Sequence, residues 1–242
     1  MTPTLVLAAH GSRDPRFGDT ARRVRNAVAA QLPGVTVRLS FLDLNVPLVG
    51  DVVAESDAPV VVPLLLAAGY HSKTDLPAIL AERNPDARQT EVLGTYPMTS
   101  ALRQRLAEAG MSEQDGVILC AVGSSDAHAD RHVHRRAIEL STHLHRPVET
   151  VFATKLGPGD RALHSAVRRL HAGGARRVVL SPYFLSAGLL TERVERALDT
   201  IVSDALVAGP LGAHPDVVDA VCTLYHRAAR DIDRDREAAF RG

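Results

Sequence analysis

Two histidines and one aspartate lie where three apolar segments of the sequence end. His10 follows LVLAA, Asp43 follows VRLSFL and His71 follows PLLLAAGY. Neutral imidazole is a metal ligand and a base near neutral pH, and a carboxylate beside it can orient the ring or accept a proton. Two imidazoles and a carboxylate of this kind suit a borderline divalent metal with open positions left over. The candidate metal ligands are His10 and His71, and the candidate catalytic residues are these two and Asp43.

The segments around these residues predict parallel sheets of βα units, because short β-rich stretches alternate with helical patterns along the whole chain. The first four predicted strands are TLVLAAH, VTVRLSF, PVVVPLLL and TEVLG. After the first of them, Val24 and Val28 recur at helical spacing. Loops and helix N-termini converge at the carboxyl ends of parallel strands. We therefore expect the three candidate residues to lie at one rim of a sheet.

The same order of elements occurs twice, with GVILCAV, PVETVFA, RRVVLSPYFL and DALVAG as the second set of strands. LVLAAHGSRD aligns with VILCAVGSSD, PLLLAAGYH with PYFLSAGLL, and LGTYP with LGAHP. Gly11 and Gly123 are 112 residues apart whereas Leu93 and Leu211 are 118 apart, so the second copy has a net insertion of 6 residues. The predicted domains are 1–113 and 114–242. No flexible linker separates them, so we expect the two to pack against each other.

Only the first copy has the candidate residues. The second copy replaces them with Val122 for His10, Thr154 for Asp43 and Leu190 for His71. A single histidine in such a position could equally be a hydrogen-bonded core residue. The joint loss of all three, with the glycine and proline positions kept, favours a functional set.

Composition excludes several classes of partner. Lys and Arg total 28 and Asp and Glu total 28, so no overall charge draws the chain to nucleic acid or to a membrane. The N-terminal apolar stretch is too short for a signal peptide or a membrane span, which predicts a cytoplasmic protein. In that compartment we expect Cys120 and Cys222 to be buried thiols rather than a disulfide.

Two other motifs have competing interpretations. DAHADRHVHRR contains His128, His132 and His134, and the first two have the i,i+4 spacing of a metal pair, but no third ligand is evident and a solvated helix face is favoured. HGSRD could be a phosphate loop, but the chain has neither GXXXXGK nor GXGXXG. A histidine phosphatase would have arginine before its nucleophile, where this chain has Ala9.

The combination of HGSRDP, FLDLNVP and GYHSKTDLP resembles the sirohydrochlorin chelatases of the CbiX and SirB type, over essentially the whole chain. The resemblance implies an α/β fold of two flavodoxin-like lobes with an active-site cleft between them. It implies an ATP-independent lyase that inserts ferrous iron or cobalt into a tetrapyrrole for siroheme or cobalamin, with nickel also compatible with imidazole. It assigns metal handling and proton abstraction to His10 and His71. The family usually has Glu where this chain has Asp43.

The implied substrate is polyanionic, so cations on the same loops are candidate carboxylate partners. The candidate binding residues are Ser12, Arg13, Arg16 and Lys73 in the first copy and Lys155 and Arg193 in the second. The alternative for each cation is an ordinary exposed surface residue. No nucleotide or redox cofactor is required, and a duplicated chain makes a monomer the simplest expectation. A non-catalytic tetrapyrrole- or metal-binding protein on the same fold is the alternative function.

Overall fold

The computed structural model describes the backbone of residues 3–241 and the side chains of residues 3–235. Each copy forms a four-stranded parallel sheet. The first has the order β2-β1-β3-β4 and the second the order β6-β5-β7-β8. The strands are β1 (Leu5–Ala9), β2 (Val37–Phe41), β3 (Val60–Pro63), β4 (Arg88–Gln89), β5 (Asp115–Ala121), β6 (Val148–Phe152), β7 (Arg177–Pro182) and β8 (Leu206–Val207). The predicted α/β fold with an internal duplication is therefore confirmed.

Helices follow the strands in both copies, as the βα pattern predicts. They are α1 (Pro15–Gln31), α2 (Val49–Ala54), α3 (Leu76–Arg83), α4 (Thr99–Glu108), α5 (Ala127–Leu144), α6 (Arg161–Ala172), α7 (Leu189–Ile201) and α8 (Pro215–Arg241). Among the described residues, no helix is both long enough and apolar enough to cross a bilayer.

Both sheets are covered on their two faces, which explains why the central strands are continuous apolar runs. All five residues of β1 are fully buried, and so are Val117, Ile118 and Leu119 of β5. Rows of such side chains, together with those of the flanking helices, form the core of each copy. This packing fixes the carboxyl ends of the strands, so the loops that follow begin from rigid positions.

The fourth strand of the first sheet differs from the prediction. We expected a strand at TEVLG, but β4 is Arg88–Gln89 and Leu93–Thr95 form a 3₁₀ turn. At Gly94 the backbone turns close to Leu66, whose carbonyl oxygen would lie 1.8 Å from any added Cβ. A glycine is therefore needed here because two backbone segments approach each other closely, and the segment is not a strand.

The compact units also differ from the predicted division into 1–113 and 114–242. One unit consists of Met1–Tyr96 and Val217–Gly242, and the other of Pro97–Asp216. Helix α4 packs against α5 and β7 of the second sheet. Helix α8 packs in the first unit, where the hydroxyl of Tyr225 donates to the carbonyl of Pro3 at 2.7 Å. The last helix of the first copy, α4, therefore packs in the second unit, and the last helix of the second copy, α8, packs in the first unit.

Candidate metal and proton-transfer site

His10 is the first residue after β1, and the loop that follows it is fixed by its own polar side chains. Ser12 accepts from the backbone N–H of Asp14 through its hydroxyl at 3.0 Å, and Asp14 caps α1 by accepting from the N–H of Arg16 at 3.0 Å. Gly11 has φ of +99°, and a Cβ there would lie 1.7 Å from the carbonyl oxygen of Asp43. Only glycine allows this approach. The loops after β1 and β2 are thereby packed together at the rim.

His71 begins a single π-turn, His71–Asp75, which leads into α3. The hydroxyl of Ser72 donates to the carbonyl of Gly69 at 3.0 Å, and the side-chain amide of Gln89 donates to the carbonyl of Ser72 at 2.8 Å. The turn is therefore tied both to itself and to β4. Single π-turns of this type are frequent at functional sites.

The two imidazoles meet at their Nε2 atoms. The Nε2···Nε2 distance is 3.0 Å and the ring centroids are 4.4 Å apart with the planes at 87°. The His71 side chain is 48% exposed, so both solvent and a ligand can reach this pair. The structure thus brings together the two residues that the sequence predicts as metal ligands.

The hydrogen bond that Nδ1 makes in each ring determines whether the Nε2 atom of that ring carries hydrogen. Nδ1 of His10 lies 3.1 Å from the carbonyl oxygen of Gly11, and Nδ1 of His71 lies 2.7 Å from Oδ2 of Asp75. Carbonyl and carboxylate oxygens only accept, so both Nδ1 atoms carry hydrogen. Two neutral rings of this tautomer leave two Nε2 atoms, each with a lone pair, 3.0 Å apart, where the lone pairs repel each other. A metal ion that both nitrogens coordinate removes this repulsion.

The spacing also fits a metal. With metal–nitrogen bonds of about 2.1 Å, a nitrogen separation of 3.0 Å corresponds to an angle of roughly 90° at the ion. That is the angle between neighbouring positions of an octahedral ion. It is narrower than a tetrahedral angle, so the pair fits an octahedral ion, most of whose positions it leaves to other ligands.

Asp43 does not join the pair. Its backbone N–H donates to the carbonyl of His10 at 3.1 Å, which places it on the neighbouring loop. Its exposed carboxylate accepts from the N–H of Leu44 at 2.7 Å, and Leu44 has a positive φ. Within the described residues no group of three His, Cys, Asp or Glu side chains is close enough to hold a metal. The sequence predicted a set of three residues. The structure shows two paired imidazoles, with Asp43 on the neighbouring loop and outside the pair.

Asp75 is the functional residue that the sequence analysis missed. Its carboxylate holds the Nδ1–H of His71 and is itself 33% exposed. The signal was present in HSKTD, since positions i and i+4 share one face of a helix. A carboxylate in this position fixes which ring nitrogen of a metal-binding histidine carries hydrogen and holds the ring in place.

The candidate carboxylate partners in the first copy have different environments. Arg13 is exposed and makes no hydrogen bond or ion pair with another described residue. Arg16 forms an ion pair with Asp14 at 2.5 Å, and its hydrogen bonds hold the pKa of that carboxyl below the ordinary value. Lys73 is exposed on the π-turn.

Ser12 is engaged in the loop itself, and Ser124 of the second copy makes the same bond, to Asp126, at 3.1 Å.

The candidate cations of the second copy are also engaged. Lys155 forms an ion pair with Asp130 at 2.5 Å and lies 5.7 Å from the ring centre of Phe152. Arg193 is exposed and donates to the carbonyl of Ala153 at 3.4 Å. Among the cations named from the sequence, Arg13 has the fewest competing partners.

Exposed apolar side chains lie on the same loops of the first copy. Val46 is 81% exposed and Tyr70 is 63% exposed, and Leu44 and Leu48 are also exposed. Tyr70 precedes His71, and the two rings are 6.2 Å apart. Solvent-exposed apolar groups on loops that also carry polar side chains are typical of a site that receives an apolar ligand.

The second copy keeps the backbone arrangement of these loops but lacks the histidines and the acid that follows the second of them. The N–H of Thr154 donates to the carbonyl of Val122 at 3.0 Å, matching the bond from Asp43 to His10, so the aligned positions are equivalent in structure. The position that corresponds to Asp75 is Val194, which is fully buried.

Neither the histidine-rich segment nor the cysteines add a reactive centre in the described part of the chain. His128 contacts Arg131, and the His134 ring packs edge-on against Phe152 at 5.4 Å. Both cysteines are free and buried, as predicted, and burial raises the pKa of the Cys120 thiol to about 12. Such a thiol is not a nucleophile near neutral pH.

Comparison with known proteins agrees with this architecture. A family model described as CbiX matches residues 4–109 and 116–228. The sirohydrochlorin cobaltochelatase of Priestia megaterium is 26% identical over 88% of this chain and 75% of its own length. The sirohydrochlorin ferrochelatase of Bacillus subtilis is 26% identical over 96% of this chain and 94% of its own. The structure of SirB from Bacillus subtilis with Fe³⁺ has a TM-score of 0.79 and 24% identity, covering 96% of this chain and 98% of that one.

Proposed function

The chain belongs to the CbiX family, and from that premise we propose that it is an ATP-independent chelatase that inserts a divalent metal into sirohydrochlorin. The observation that carries the proposal is the meeting of two imidazole Nε2 atoms at 3.0 Å with both Nδ1 atoms already donating. The relatives named above are cobalto- and ferrochelatases of this substrate, so cobaltous and ferrous ions are the metals we assign.

In this proposal the metal is a substrate that His10 and His71 hold only briefly. Two ligands at roughly 90° leave most of an octahedral shell to water, so the protein binds the ion weakly. Four ring nitrogens of the tetrapyrrole then displace the waters and the histidines. Incomplete coordination therefore favours delivery, and a closed four-ligand site would oppose it.

Two pyrrole N–H protons have to leave as the metal enters. Once the metal moves to the macrocycle, the Nε2 lone pairs of His10 and His71 are free to accept those protons. Asp75 stabilises His71 as it becomes positively charged, because its carboxylate already holds the Nδ1–H. Asp43, exposed on the neighbouring loop, would pass a proton on to solvent.

The loops also fit the shape of the substrate. A tetrapyrrole is a flat apolar ring with carboxylates at its edge. Val46 and Tyr70 offer exposed apolar surface on the loops that follow β2 and β3, and Arg13 offers an exposed guanidinium that has no partner among the described residues. We assign Ser12, Arg16, Lys73, Lys155 and Arg193 smaller roles at the carboxylates, and we expect the duplicated chain to act as a monomer.

The test is anaerobic metallation of sirohydrochlorin followed by its absorption change, with Fe²⁺, Co²⁺ and Ni²⁺ in separate reactions. We expect His10→Ala and His71→Ala to lower the rate by about 100-fold or more, because each removes a ligand and a base. His226→Ala, an exposed histidine on α8, is the matched control and should keep the wild-type rate. Wild-type rates in both site variants would overturn the proposal. Stoichiometric retention of the macrocycle without turnover would instead identify a binding protein.

A further inference from the structure

An open surface depression of about 490 Å³ lies on the second unit, away from the histidine pair in sequence and in sheet. Its lining residues are Arg161, His164, Ser165, Val167, Arg168 and Ile201. All but the last belong to α6. The volume is in the range of small-molecule sites.

The polar residues of this depression occupy one face of α6. Positions 161, 164, 165 and 168 follow the i, i+3, i+4, i+7 spacing that brings side chains to the same side of a helix. Arg161 and Arg168 are two turns apart, or about 10 Å along the axis. His164 and Ser165 lie between them.

These side chains have no internal partners. Arg161, His164, Ser165 and Arg168 make no side-chain hydrogen bond or ion pair with another described residue. Arg169, on a different face of the same helix, is paired with Glu149 at 2.7 Å. The carboxylate nearest in sequence, Asp160, forms no capping bond to α6. Two unpaired guanidiniums on one face repel each other, and an anion between them would relieve that repulsion.

The first copy has no counterpart of this face. There α2 has 6 residues against 12 in α6, and α2 packs closely on α3. Continuing the alignment of Asp43 with Thr154, the positions of Arg161, His164 and Ser165 are occupied by Gly50, Val53 and Ala54. The cations are thus a feature of the copy that lacks the histidines.

We propose that this face of α6 binds a small polyanion with at least two carboxylate or phosphate groups. Arg161 and Arg168 hold the two ends through charge-assisted hydrogen bonds, and Ser165 and His164 contact its middle. Val167 and Ile201 supply an apolar wall, which favours a ligand with a carbon skeleton or a bridged diphosphate over a single small ion.

The test is calorimetric titration of the full chain at low ionic strength with citrate and, separately, with pyrophosphate. We expect one ligand per chain and binding that weakens as salt is added. In Arg161→Gln/Arg168→Gln the affinity should fall at least about tenfold, since two charge-assisted contacts are lost. Arg135→Gln, an exposed unpaired arginine on α5, is the matched control and should bind as the wild type does. The tighter of the two anions identifies carboxylate or phosphate as the natural group.

Glutamine is a good helix former, so the double variant should fold, and far-ultraviolet circular dichroism checks this. If it does not fold, the two single variants take its place. The proposal is overturned if neither anion binds at about ten millimolar, where a site with a dissociation constant of about 1 mM would be about nine-tenths filled. It is also overturned if the double variant binds as tightly as the wild type, or if Arg135→Gln loses as much affinity.

Discussion

The two copies of the βα unit share their backbone framework and differ in the side chains at its rim. In both, the strand is followed by a Gly-Ser-X-Asp loop in which serine accepts from the aspartate N–H and the aspartate caps the next helix. The first copy places His10 and His71 above that framework. The second places Val122 and Leu190 there, and Val122 is exposed.

The comparison separates what the fold requires from what the chemistry requires. Glycine, serine and aspartate of the loop recur in both copies because each satisfies backbone geometry or a helix N-terminus. The two histidines and Asp75 occur only in the first copy. The second copy differs elsewhere, because α6 has 12 residues against 6 in α2 and carries Arg161 and Arg168.

The largest expected effect concerns the glycine of each loop, because the space around this glycine differs between the two copies. A Cβ on Gly11 would lie 1.7 Å from the backbone carbonyl of Asp43, whereas on Gly123 its nearest neighbours would be the side-chain hydroxyl of Thr154 at 2.7 Å and the Cβ of Phe152 at 2.9 Å. Both positions have positive φ. We expect Gly11→Ala to destabilise the protein by about 3 kcal/mol or more and Gly123→Ala by about 1–2 kcal/mol.

Guanidinium denaturation of the two alanine variants measures this difference. Gly34→Ala is the control, because its φ is also positive but no atom lies within 4 Å of an added Cβ, so it isolates the cost of the backbone conformation. Equal destabilisation of Gly11→Ala and Gly34→Ala would show that the two loops are not packed as tightly as described.

A smaller effect is expected at the acid beside His71. Asp75→Asn keeps the shape but removes the charge that stabilises a protonated imidazole, so the metallation rate should fall by about 10- to 100-fold. Asp43→Asn should have a weaker effect, because Asp43 contacts its own loop and neither histidine. Steady-state metallation rates across a range of pH compare the two.

The control for this pair is Asp86→Asn, which removes an exposed carboxylate after α3. A larger loss in Asp43→Asn than in Asp75→Asn would reverse the roles assigned to the two acids. It would mean that Asp43, the carboxylate on the loop after β2, is the one that handles the proton.

The sequence was sufficient for the elements set by local patterns and for the pairing of distant ones in parallel sheets. Apolar runs with helical spacing between them predicted both sheets, and the position of His10 and His71 at strand ends predicted their meeting. The internal repeat also gave the equivalence of Asp43 and Thr154, which a matching backbone bond confirms.

What the sequence did not show depends on contacts distant in the chain or on local turn geometry. Helices α4 and α8 lie in opposite units because of packing contacts with residues distant in the chain, which no local pattern in either helix specifies. The role of Asp75 depends on the direction of one imidazole, and the π-turn that sets it has no simple sequence signature. The fourth strand was misplaced because Val92 and Leu93 are apolar in a turn as they would be in a strand.

The smallest effect concerns acid stability, in which the copies should also differ. Asp115 begins β5, and its buried carboxylate accepts from Arg177 on β7 and from the N–H of Ser112, both at 2.7 Å. The aligned residue of the first copy is Pro3, which cannot form such a pair. Burial by itself opposes ionisation, but the bonds from Arg177 and Ser112 outweigh it and hold the pKa of Asp115 below its ordinary value of 3.8.

Because this pKa is lowered by folding, the carboxylate stabilises the second unit at pH values above 3.8, and that stabilisation is lost as the pH falls further. Hydrogen exchange of β5 peptides, compared with β1 peptides between roughly pH 6 and pH 3, measures each copy by itself. We expect β5 to lose more protection than β1 on acidification, and Asp115→Asn to remove that difference by lowering β5 protection at the higher pH. An Asp115→Asn protein whose β5 still loses more protection than β1 would place the acid-sensitive group elsewhere in the second unit.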